Sequence, residues 1–277
     1  MSKLKILTTI IILITFISCN DKPKQNIDEI NISVSIPPYA DFVKQIVGNR
    51  AKVNTLIPPG TNAHSFEPTP KQLKSILDAN IYFRVGEDFK LENILIDKLK
   101  SNIEKIVDCS NGIEIINRNP HFWLSPINVK IITKTIADSL SHFYPHHKNY
   151  FFNNRTRFIK QIDSADQIMK DILKNKTDKS LFVYHPAWRY FADYYGLEEI
   201  AIEKDGKHPK ANDLKYFLEI AKSKGANCIF FDPHFDDSSV STVANSLNLK
   251  IDSINPLPEN YVQNLIDIGN KLDEHLK

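Results

Sequence analysis

The sequence predicts an α/β protein of two lobes joined by one long helix, and three features carry that expectation. From Ile30 onward, short apolar runs of strand length alternate with stretches of helical periodicity. After Pro145 the alternation stops, and His147 to about Lys176 contains neither glycine nor proline. At Leu181 it resumes and continues to the end of the chain.

In the first lobe, INISVSI reads as a strand, PPYADFVKQIVG as a helix ended by Gly48, and AKVNTLI as a second strand stopped by Pro58, Pro59 and Gly60. Thr69 is a suitable N-cap and Pro70 a suitable first residue for a helix whose apolar stripe is Leu73, Ile76 and Leu77. A strand over Ile81 to Gly86, a helix over Leu91 to Ile103 and a strand over Lys105 to Asp108 complete the unit. Ser125 and Pro126 start a further helix bearing Ile127, Ile131, Ile132 and Ile136. The long segment that follows suits a rigid connector about 29 residues long, spanning ~44 Å at 1.5 Å per residue. Such a helix leaves little room for a wide hinge, so a ligand is expected to order local loops.

In the second lobe, Leu181 to Tyr184, Leu197 to Ile202, Ala226 to Phe231 and Leu249 to Ile254 read as strands. Helices are expected over AWRYFADYYG, Asn212 to Ser223, Ser238 to Ser246 and Glu259 to Leu276. The expected organisation is therefore a leader at 1–19, a tether at 20–29, a first lobe at 30–144, a linker helix at 145–177 and a second lobe at 178–277.

Lys3 and Lys5 followed by a run of about eleven largely apolar residues suit a signal peptide, since a membrane span needs roughly 20. Ser18 followed by Cys19 resembles a lipobox, which makes Cys19 the expected lipidated N-terminus and Asn20 to Asn26 a polar tether. Of 35 basic residues, two lie in that leader, leaving 33 against 33 acidic ones. A neutral mature chain gives no electrostatic reason to expect nucleic acid or an anionic membrane surface as partner. Cys109 and Cys228 lie far apart outside any metal-type spacing and read as buried thiols. His142, His146 and His147 flank a helix start and read as solvated helix-end residues.

Three other histidines share one setting. His64 in GTNAHSFEPTP, His121 in NPHFWLSP and His185 in HPAWRYFADYYG each lie in a turn at the start of a helix. Open α/β sheets place ligands at such carboxyl-end loops, and three converging neutral imidazoles suit zinc. These three motifs resemble those of the metal-binding solute receptors of ABC transporters, the zinc and manganese lipoprotein class, over nearly the whole mature chain. That resemblance implies two α/β lobes joined by a rigid helix with the metal in the interlobe cleft. It implies His64 and His121 from the first lobe and His185 from the second as ligands.

For the fourth ligand the family's C-terminal aspartate matches Asp252, whereas alignment on the Pro-Leu pair puts Asn255 there; Asp252 is preferred because an amide is a poorer zinc ligand than a carboxylate. Asp232, His234 and water are the alternatives. Glu67, three residues beyond His64, could receive that imidazole's second N–H, and Phe66, Trp123 and Trp188 could dry the site.

The function implied is an extracytoplasmic receptor that captures zinc for an ABC permease and its ATPase, anchored by lipid and monomeric. A third imidazole in place of a carboxylate favours zinc over manganese. A zinc hydrolase or hydratase using the same histidines and a metal-binding surface adhesin are the competing readings; the first lacks an HExxH motif or a nucleophile elbow.

Overall fold

A computed structural model describes residues 30–63, 65–203, 211–234 and 249–277. The leader with Cys19, the tether, His64 and the helix expected over Ser238 to Ser246 lie outside the described residues.

The first lobe runs β1 (Ile30–Val34), α1 (Pro37–Val47), β2 (Ala51–Thr55), α2 (Pro70–Leu77), β3 (Ile81–Arg84), α3 (Lys90–Asn102) and β4 (Lys105–Asp108). Its four strands are parallel in the order β2-β1-β3-β4. Parallel strands are covered on both faces, and β3 is buried at all four positions. The start of α2 follows its sequence cues. Thr69 accepts the Gln72 N–H, Gln72 reaches back to the Thr69 N–H, and Pro70 fills the first turn.

Two helices lead out of this lobe. A short 3-10 turn over Phe122–Leu124 precedes α4 (Pro126–Phe143), and a second over Pro145–His147 precedes the connector α5 (Lys148–Lys174). The second lobe contains β5 (Ser180–Val183), α6 (Arg189–Tyr195), β6 (Glu198–Ala201), α7 (Ala211–Ser223), β7 (Cys228–Phe231) and β8 (Lys250–Ser253). Its parallel sheet repeats the first topology, in the order β6-β5-β7-β8. The last helix, α8 (Tyr261–His275), turns back onto α5. At its start Asp41 of α1 accepts the Tyr261 N–H at 2.9 Å, and Tyr261 packs edge-on against Phe42.

The connector serves as a spine, with α1, α4 and α8 all against it. Its buried face is Phe151, Asn154, Phe158, Ile162, Ala165, Asp166, Met169 and Leu173, close to the three-and-four spacing of one helical stripe. Cys109 and Cys228 are buried free thiols, and burial pushes the Cys228 thiol up to about 12. Among the described residues no helix is long and apolar enough to cross a membrane.

One glycine controls how α1 meets the spine. Gly48 has φ +57°, donates to Lys44 O at 2.9 Å, and sits so close to Tyr150 that a Cβ would overlap Oη. Gly48→Ala is expected to lower stability by about 1–3 kcal/mol, combining a left-handed backbone with overpacking. Urea unfolding checks this, and a loss of less than about 0.5 kcal/mol would show that Tyr150 yields without cost.

Candidate metal site

Both sheets turn their carboxyl ends toward a cleft of about 410 Å³. The second lobe builds its side from two adjacent strands, β5 and β7, where the strand order reverses. His185 follows β5 and Asp232 follows β7, and both line the cleft. This is the switch point at which open parallel sheets bind ligands. The first lobe contributes Ala63 and Phe66, which bracket His64 in sequence, the loop with Asp88 and Phe89, and His121 with Trp123.

His121 and His185 face each other across the lobes with ring centroids 5.4 Å apart and planes at 79°. Two imidazoles bound to one tetrahedral zinc at ~2.0 Å would have centroids about 5 Å apart, so this spacing suits a shared ion. Each ring is oriented through Nδ1. Glu203 Oε2 lies 2.6 Å from His185 Nδ1, and Asn119 Oδ1 lies 2.7 Å from His121 Nδ1 while accepting the His121 N–H at 3.0 Å. With Nδ1 as the donor in such a pair, Nε2 is the nitrogen that can ligate a metal.

Glu203 escaped sequence reasoning, although the sheet register explains it. Val183 pairs with Ala201 in parallel, so the residues two beyond each, His185 and Glu203, emerge side by side. The Glu203 N–H donates to Tyr184 O at 2.9 Å, extending the ladder to that point. Both side chains are only 8 % exposed, so the pair is well shielded from water.

Asp252, preferred from sequence as the fourth ligand, is not among the residues lining this cleft. It lies on β8 opposite Phe230, and its carboxylate turns to α8, 2.8 Å from Lys271 Nζ and 3.1 Å from His275 Nε2. Burial pushes its pKa up, but hydrogen bonds from Lys271, Ser253 and His275 outweigh this and bring it below the usual carboxylate value. Asn255 is also committed, its Oδ1 accepting the Leu257 N–H at 2.8 Å. The acidic group on the second-lobe wall is Asp232, whose Oδ1 accepts the His234 N–H at 2.9 Å and lies 2.8 Å from His234 Nδ1. Among the described residues no three histidine, cysteine or acidic side chains form a metal-sized group.

Glu67 is exposed, and His64, its expected partner, lies outside the described residues. Of the three aromatic residues expected to dry the site, Phe66 and Trp123 line the cleft, whereas Trp188 is buried behind it, edge-on to Phe191 at 5.6 Å. Trp123 also ties the lobes together, donating from Nε1 to Pro256 O at 2.8 Å.

The first-lobe wall rests on a buried carboxylate. Glu92 accepts the N–H groups of Val85 and Gly86 at 2.7 and 3.1 Å, pairs with Arg84 Nε at 3.3 Å and accepts from Ser35 Oγ. These bonds hold the turn leading to Asp88 and Phe89. Burial pushes the Glu92 carboxyl up to about 7 against the opposing pull of its hydrogen bonds and Arg84.

Comparison with known proteins agrees with this architecture. The zinc-binding lipoprotein AdcA of Streptococcus pneumoniae is 27 % identical over 279 residues, covering 93 % of this chain and 56 % of that protein, so the chain spans little more than half the length of that relative. The high-affinity zinc uptake system protein ZnuA of Bacillus subtilis is 25 % identical over 252 residues, covering 83 % of this chain and 79 % of that one. A crystal structure of ZnuA, 30 % identical, superposes with a TM-score of 0.85 over 90 % of this chain and 99 % of its own. The family model described as ZnuA, zinc-uptake complex component A, periplasmic, matches residues 32–274, nearly everything from the first strand to the last helix, and the chain belongs to that family.

Proposed function

We propose that this protein is an extracytoplasmic receptor that captures zinc in the interlobe cleft and delivers it to an ABC import permease driven by its ATPase. The observation that carries this reading is the facing pair His121 and His185, one from each lobe, at a spacing suited to one ion. His64, which lies between the cleft-lining Ala63 and Phe66, is the third imidazole, and Asp232 replaces Asp252 as the acidic group of the site. The protein acts as a monomer held to the membrane by lipid on Cys19, which frees the folded lobes to meet the permease at the surface.

A receptor fits these groups better than a zinc hydrolase. A hydrolytic site needs a general base poised over an open ligand position. The carboxylates beside His185 are otherwise engaged: buried Glu203 holds Nδ1, and half-buried Glu199 accepts the Trp188 N–H at 2.7 Å.

Protein purified without chelators is expected to carry one zinc per chain. Competition with a chromophoric chelator is expected to show tighter binding of Zn²⁺ than Mn²⁺, because three imidazoles follow the Irving–Williams preference. Tighter manganese binding, or no stoichiometric metal at all, would overturn the reading.

A further inference from the structure

We infer that Tyr190 positions His121 for the metal from the opposite lobe, its single hydroxyl bracketing the strained turn that precedes this ligand. Tyr190 lies on α6, which follows His185. Its Oη accepts the Ile116 N–H at 2.8 Å and donates to Asn119 O at 3.0 Å. Between those contacts lie Asn117 and Arg118, with φ values of +50° and +57°. Two consecutive side-chain-bearing residues in the left-handed region are unfavourable and persist only where the surroundings impose them. Here both ends of the dipeptide are held by one atom of the other lobe.

The restraint passes directly to the ligand. Asn119, whose carbonyl Tyr190 holds, uses its side-chain oxygen to orient both the backbone and the ring of His121. Tyr190 is itself fixed. Its ring meets Phe122 edge-on at 6.2 Å, whereas the Tyr194 and Tyr195 hydroxyls at the far end of α6 donate to Asp166 at 2.8 and 2.9 Å and add stability without touching the turn. The Tyr190 phenol is protonated near neutral pH already at its ordinary value, as donation to Asn119 requires, and burial pushes it higher still. The consequence is a relay: the Tyr190 hydroxyl sets the turn, the turn sets Asn119, and Asn119 sets the His121 ring opposite His185.

This inference rests on His121 being a ligand, so its test separates the two ideas. Wild-type protein binding one Zn²⁺ tests the receptor reading alone. Tyr190→Phe keeps the ring and removes the hydroxyl, and Tyr195→Phe removes a hydroxyl from the same helix at its far end. Tyr190→Phe is expected to weaken zinc about tenfold and to alter the visible spectrum of the Co²⁺-loaded protein. Tyr195→Phe is expected to lower the melting temperature with zinc affinity and Co²⁺ spectrum unchanged. Amide exchange on the wild-type protein supplies a reading independent of any variant: the Ile116 amide should be protected without metal and more protected with Zn²⁺. Zinc affinity within twofold of wild type for Tyr190→Phe, equal weakening in both variants, or an Ile116 amide exchanging at loop rates with and without metal would each overturn the inference.

Discussion

His185→Ala is expected to lower zinc affinity by more than 100-fold. Loss of an outer-shell partner at a metal histidine typically costs 10–100-fold, and loss of the ligand itself should exceed that. Glu203→Gln supplies the comparison. An amide in place of the carboxylate that lies 2.6 Å from Nδ1 keeps the volume but makes the imidazole a weaker donor to metal, so a 10–100-fold loss is expected. The ordering of the two variants tests whether Glu203 acts through the ring. Chelator competition at fixed pH measures both, and a His185→Ala protein within threefold of wild type would remove His185 from the site.

Glu92→Ala is expected to be the most destabilising substitution in the first lobe, at about 3–5 kcal/mol. It would strand Arg84 and the N–H groups of Val85 and Gly86 in a place where the side chain they serve is fully buried. The same carboxyl makes stability depend on pH. Its value is raised in the folded protein from 4.5 to about 7, so the folded state holds the proton more tightly. That contribution is fully present below about pH 4.5 and is lost as pH rises toward and through 7, by about 3 kcal/mol in all. Wild-type protein should therefore lose stability relative to Glu92→Gln between pH 5 and 8 in urea titrations. A constant difference across that range would show that Glu92 stays ionised in the fold.

Much of the scaffold was legible because its signals are local. Thr69 with Pro70 starts α2, Gly196 in a left-handed conformation ends α6, and a stretch without glycine or proline becomes the connector. Ser125 stands at the predicted cap position, yet its side chain makes no capping bond there, so the Ser-Pro pair located the helix without describing its chemistry.

The site was legible only in part, since its remaining determinants are set by tertiary register. Whether Asp252 faces the cleft or α8 depends on its pairing with Phe230 in a two-residue alternation, which the acidic residue near a Pro-Leu pair does not reveal. Glu203 becomes visible only when β5 and β6 are aligned. Tyr190 read as one more aromatic of a helix, because the turn it holds lies 71 and 74 residues away.

The spine has a thermodynamic consequence. Ile32 of β1, Phe158 of α5, Leu181 of β5 and Leu272 of α8 all belong to one continuous apolar core, so the inner face of each sheet is packed jointly with the spine and not within its own lobe alone. Inter-domain contacts of the usual modest, polar kind allow halves to melt separately, but a shared core binds them into one cooperative unit. Only the outlying clusters can loosen by themselves, one centred on Phe182 and Phe217 beneath α7 and the other on Tyr82 and Leu99 beneath α3. A lesion deep in one lobe therefore depresses the other equally, and the two halves stand or unfold together.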